Sequence, residues 1–128
     1  MCAPVAGVVT PGVVRGLDEL GLRGVVSFGA SDLGPASIEH VLAEHDALRE
    51  AAEASRLSRF RVGIAAVGAQ TDDLFEQSSA LAVDGGHGVH IHLQEIREEV
   101  TAIRNTHGVT PIAHCERVGT FRAPTLAA

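Results

Sequence analysis

The sequence predicts an α/β domain built on a parallel sheet. Short β-branched runs alternate with longer stretches of helical periodicity. Each helical stretch is long enough for the crossover that joins parallel strands. The strand runs are apolar on both faces, as in a sheet covered by helices. With 128 residues and 45% hydrophobic content, the chain suits a single domain, 1–128, with a buried core.

Thr10, Pro11 and Gly21 read as N-cap, first helical position and stop of a first helix, with Val14, Leu17 and Leu20 on one side. Residues 24–29 (Gly-Val-Val-Ser-Phe-Gly) read as a buried strand, and a loop with Asp32, Gly34 and Pro35 follows. From 36 to 57, Ile38, Val41, Leu42, Leu48 and Ala52 mark one helical stripe. Residues 61–67 form the next strand. Thr71 followed by Asp72 and Asp73 starts a helix, with acids at the positive end of its dipole. That helix ends at Asp84, Gly85 and Gly86. Residues 89–93 form a third strand. Ile96, Val100 and Ile103 then lie at helical spacing, closed by Gly108. Thr110, Pro111 and Gly119 bracket a shorter helix, and 124–128 opens a fourth strand. This pattern alone does not separate a small open sheet from part of a barrel.

Composition removes several function classes. A net charge of -6, with no basic run, argues against nucleic acid or an anionic membrane surface. Four Phe, with no Trp and no Tyr, leave no base-stacking platform. No apolar run reaches the roughly 18 residues of a membrane span, and Met1, Cys2, Ala3 and Pro4 lack the basic start of a signal peptide. Cys2 and Cys115 do not make a disulfide framework, so a reducing cytoplasm is expected.

The sharpest local feature is the segment from Gly88 to Glu95. Strand alternation places His90, His92 and Gln94 on one face and Val89, Ile91 and Leu93 on the other. The polar set then points away from the helices, and His92 lies near the strand's C-terminal end, where α/β folds place ligands. Neutral imidazole suits zinc and iron. Glu95, just past the strand, is placed to hold a carboxylate over a metal-bound water. The competing reading is two histidines satisfied by hydrogen bonds in a polar core. One His and one Glu also fall short of the roughly three protein ligands of a catalytic zinc.

His92-Leu-Gln-Glu95, then Ile-Arg-Glu-Glu-Val100, then His107-Gly-Val-Thr-Pro111 resembles the aminohydrolase branch of the amidohydrolase superfamily. That branch includes guanine, 8-oxoguanine and S-adenosylhomocysteine deaminases and triazine hydrolases. Val118-Gly119-Thr-Phe121 and Ala123 to Ala128 look like the stretch before the family's next metal-binding His, and Leu20-Gly-Leu-Arg23 looks like its G-x-R segment. The resemblance implies a partial (β/α)8 TIM-type barrel of about four parallel strands. It implies His92 as ligand of a divalent metal, zinc or iron, with zinc expected first. It implies Glu95 as the acid/base in hydrolytic deamination of an amino-substituted heterocycle. It also implies that the remaining ligands lie outside this segment, so the chain is not expected to turn over substrate alone.

Gln70 falls where relatives place a polar contact to a small-molecule substrate, and it also reads as an ordinary loop glutamine. His114 is set aside as the family ligand because Thr110, Pro111 and Gly119 make its segment a helix. His107 reads as a partner for a helix C-terminal dipole. His40 and His45 read as surface or rim residues, His87 as a turn residue and His90 as core-lining. The alternative to an enzyme segment is a non-catalytic α/β module with structural histidines. A third reading is a complete small enzyme built on His90, His92 and Glu95. If the chain is half a barrel, its open sheet edges predict self-association.

Overall fold

The computed structural model describes residues 6–128, with side chains from Thr10 onward. The expectations resting on Met1, Cys2, Ala3 and Pro4 lie outside that range. The order is α1 (Ala6–Leu20), β1 (Gly24–Val26), α2 (Ile38–Ala54), β2 (Ser58–Ala66), α3 (Asp72–Gly85), β3 (Gly88–His92), α4 (Arg97–His107), α5 (Pro111–Val118), a 3-10 turn (Thr120–Arg122) and β4 (Thr125–Ala127).

The four strands are parallel and adjacent in chain order, β1-β2-β3-β4. Val62 pairs with Val89 and Ile64 with Ile91, which puts these four side chains on one face. They are buried there with Phe75, Ala82 and Cys115 in the main core. Val26 joins Val14, Leu48 and Ala52 in a second cluster under α1 and α2. Among the described residues nothing packs over the other face at Val25 and Leu126, which are 59% and 50% exposed. Strands in sequential order with helices packed on one face make the wall of a barrel. A doubly wound sheet would reverse strand order and cover both faces.

The capping signals work as the residues suggest. Thr71 and Thr110 accept hydrogen bonds from the backbone N–H of Leu74 and Ala113, at 3.3 and 3.2 Å. Gly119 takes the left-handed conformation, φ +91°, that ends α5 without a Cβ penalty. Several boundaries differ from the expectation, among them the end of β1, at Val26 rather than Gly29, and the end of α2, at Ala54 rather than 57. Helix α1 begins before Thr10 and carries Pro11 inside it. Thr10 is therefore no cap, and its hydroxyl donates to Glu44 Oε2 of α2 at 2.8 Å. Helix α2 starts after Ser37, whose Oγ accepts from the His40 N–H. Strand β2 begins at Ser58, earlier than 61.

His45 is a correction. It is fully buried, not a rim residue. Its Nδ1 lies 3.1 Å from the Val41 carbonyl oxygen and its Nε2 3.1 Å from that of Gly63. The ring stands edge-on to Phe28 and Phe60. Apolar spacing along α2 did not reveal it, because the amphipathic stripe is tallied on hydrophobic residues and a histidine counts as polar. Burial pushes its pKa below the ordinary histidine value, against the two carbonyls and the nearby Asp46 and Glu44. Above pH ~6.5 the ring is neutral in both folded and unfolded chains. Below that, the unfolded chain takes up a proton that the folded one resists, so stability falls as pH falls. Thermal melts are expected to show a declining Tm on going from about pH 7.5 to 5.5, with a shallower slope in His45→Gln. An unchanged slope in that variant would assign the effect elsewhere.

Candidate functional site

The C-terminal ends of β1, β2 and β3 meet around a shallow cavity of about 90 Å3 on the helix-free face, lined by Ser27, Gly29, Gly63, Ala65, His90 and His92. Two histidines enter it because the pleat of β3 sends Val89 and Ile91 into the core and alternate residues the other way. His90 is half-buried and His92 exposed, with ring centroids 6.1 Å apart. The Ser27 hydroxyl, just past the end of β1, lies 3.0 Å from His90 Nδ1 and holds that ring from across β2. A larger hollow, of about 490 Å3, lies at the opposite end of β1 and β2; it is lined by Arg23, Arg56 and Arg59 and holds no histidine or carboxylate.

Past β3 the backbone turns sharply: Gln94 has φ +59°, a conformation uncommon outside glycine. Glu95 follows, exposed, between the strand and α4. Its backbone N–H donates to Glu99 Oε2 at 3.1 Å. Glu99 thus reaches back to the entry of α4, whose N-cap, Ile96, offers no side-chain acceptor. The second glutamate of the motif therefore holds the turn that carries the first.

The loops above β1 and β2 are tied to each other. The Ser31 hydroxyl donates to the Ala69 carbonyl, and Asp32 accepts from both the backbone N–H and the hydroxyl of Thr71. The Thr71 donors hold the Asp32 carboxyl below its usual pKa. Gln70 sits inside this junction, 6% exposed, with neither side-chain Oε1 nor Nε2 hydrogen-bonded. An amide buried this way leaves donors and acceptors unsatisfied at a cost of about 1–3 kcal/mol each, so a water or ligand partner is expected for it.

The remaining histidines fall elsewhere. His87 stacks edge-on against Phe60 at the N-terminal end of β3. His107 ends α4 and lies 3.5 Å from Asp72. His114 is on α5, as the Thr110 cap and Pro111 indicate, and is buried against Phe75. Cys115 is a buried free thiol, pushed up to about 12 by burial and then by Glu99. Sequence reasoning missed the approach of Asp72 to His107 and His114, three residues on three helices. No local pattern signals such a meeting.

Comparison with known proteins gives a consistent set of relatives. The chain is 33% identical over 121 residues to the 5'-deoxyadenosine deaminase of Methanothermobacter thermautotrophicus, covering 91% of this chain and 28% of that protein. It is 30% identical over 119 residues to the 5-methylthioadenosine/S-adenosylhomocysteine deaminase of Caldanaerobacter subterraneus, with the same two coverages. The fold superposes on a zinc-bound adenosine deaminase from Xanthomonas campestris with a TM-score of 0.75 at 20% identity, covering 99% of this chain and 35% of that one. An amidohydrolase from Brucella melitensis superposes with a TM-score of 0.65 at 16% identity, covering 87% and 28%. No family model matches the sequence. The chain spans about 28% of the length of the first two curated relatives. Among the described residues, no helix is long and apolar enough to cross a membrane.

Proposed function

We propose, for a chain whose sequence and strand order are those of a segment of an amidohydrolase-superfamily barrel, that the parent enzyme removes an amino group by hydrolysis from an amino-substituted heterocycle. Residues 1–128 form one partial barrel domain of that enzyme. The observation that carries this reading is the placement of His92 on the helix-free face at the C-terminal end of β3, with an exposed Glu95 just after it.

In this reading His92 is one ligand of a divalent ion, zinc before iron. Exposed imidazole, with a second imidazole beside it, is a donor set that suits such an ion. One or two imidazoles are fewer than the three protein ligands usual for catalytic zinc, so the other donors would come from barrel strands that this sequence does not contain. The ion, when bound, lowers the pKa of a water toward neutrality.

This chain's own residues do the rest. Glu95 accepts one proton of the attacking water at its carboxylate and passes it to the substrate ring nitrogen, then carries the remaining hydroxyl proton of the adduct to the amine, which departs as ammonia. The Glu99 contact to its backbone keeps the turn, and so the carboxylate, in place. The unpaired amide of Gln70 offers a donor and an acceptor to a heterocycle edge. Aminopurine nucleosides are the first substrates to try, since the curated relatives are named for 5'-deoxyadenosine, 5-methylthioadenosine and S-adenosylhomocysteine. The buried thiol at Cys115 supports a reducing, cytoplasmic setting. The free edges at β1 and β4 and the bare Val25 and Leu126 support self-association of the isolated segment.

The test joins this segment to the missing strands, from its own reading frame or from one of these relatives, and measures ammonia released from those three nucleosides. Turnover that is lost in His92→Ala is expected. Turnover that survives that change, or none from any aminopurine, would end the proposal.

A further inference from the structure

On the helical side of the sheet, three ligating side chains from three helices converge. Asp72 opens α3, His107 closes α4 and His114 lies on α5. One donor atom from each lies within 4.8 Å of the others. His107 Nε2 is 3.5 Å and His114 Nε2 4.0 Å from Asp72 Oδ1. Ligand atoms around a tetrahedral zinc with bonds of about 2.0–2.1 Å stand about 3.3 Å apart. Small movements of the Asp72 carboxylate, which is 60% exposed, and of the His107 ring close that difference.

An independent observation points the same way. His114 is 3% exposed, and its Nε2 has no hydrogen-bond partner. A buried, unpaired ring nitrogen facing a carboxylate and a second imidazole is a vector toward a ligand. The ring is held in that direction by stacking on Phe75, with centroids 5.3 Å apart. We propose that Asp72, His107 and His114 form a second divalent-metal site, distinct from the His92 position, for zinc or another borderline first-row ion. Two imidazoles and one carboxylate leave a coordination position for water.

Arg117 modulates this site. Its Nη2 lies 2.7 Å from His114 Nδ1. Guanidinium only donates, so Nδ1 accepts and the ring proton sits on Nε2, the nitrogen a metal needs. A ligating His normally donates its other N–H outward. Metal binding therefore moves the ring proton to Nδ1 and releases Arg117, whose side chain is exposed and free to swing away. The ion and Arg117 compete for one imidazole.

The experiment titrates the 128-residue chain with Co(II), followed by its visible absorption, and with Zn(II) by calorimetry. Asp72→Asn, at an exposed position, and His107→Gln, at a half-buried one, are expected to weaken binding about 10-fold or more each. Arg117→Gln is expected to tighten it, because the amide carbonyl accepts the Nδ1 proton of the ligating tautomer. His92→Ala is expected to leave it unchanged, which separates this site from the catalytic proposal. If either Asp72→Asn or His107→Gln melts far below the parent chain, the other decides. Binding indifferent to the folded variants of this pair, binding lost in His92→Ala, binding unchanged or weakened in Arg117→Gln, or no binding at millimolar Co(II) would overturn the site.

Discussion

Glu95→Gln is expected to lower kcat for deamination by about 10²–10⁴-fold in the assembled barrel, the range for loss of a positioned acid/base. KM is expected to change little, because an isosteric amide keeps the shape of the turn but cannot carry the proton. The melting temperature should stay the same. Glu95 is exposed, and among the described residues its hydrogen bond runs through its backbone N–H to Glu99, which the substitution leaves in place. Glu99→Gln gives the contrast. It weakens the contact that holds the turn, so a smaller loss is expected, relieved in part because an amide oxygen still accepts. Steady-state kinetics on both variants separate proton transfer from positioning. Equal kcat values for parent and Glu95→Gln would remove Glu95 from the chemistry.

Gly63→Ala should have the largest effect on stability. An added Cβ would stand 2.1 Å from the carbonyl oxygen of Phe28 and 2.7 Å from its backbone nitrogen. These are backbone atoms on the neighbouring strand path, so no rotamer change relieves the clash. The Gly63 carbonyl is also one of the two oxygens facing the buried His45 ring, and Gly63 lines the cavity beside His90 and His92. Overpacking of this kind costs typically 1–3 kcal/mol and sometimes more. We expect about 3 kcal/mol, a fall in Tm on the order of 10 °C. Gly29→Ala is the control, since its nearest neighbour would be 3.8 Å away. A melt for Gly63→Ala within a degree or two of the parent would show that β1 and β2 separate readily here.

The order of elements was legible because its signals are local. Thr71 before two aspartates, and Thr110-Pro111 closed by Gly119, announce helices through hydrogen bonds made within a few residues. The alternation of Val89, His90, Ile91 and His92 announces a strand with one polar face through the pleat alone. Pro11 misled for a related reason. Proline is favoured in a first helical turn, yet the helix here tolerates it further in, and Thr10 turns its hydroxyl to Glu44 on another helix.

What the sequence by itself determined is the parallel α/β architecture and the face of β3 that carries His90 and His92, because periodicity and capping depend on neighbours along the chain. The barrel order of the strands was implied by the resemblance and is what the structure has, whereas only the tertiary structure decided that His45 and Gln70 are buried and that Asp72 meets His107 and His114. Those outcomes depend on which helix packs against which. That choice is made by contacts between residues tens of positions apart, where no local spacing rule reaches.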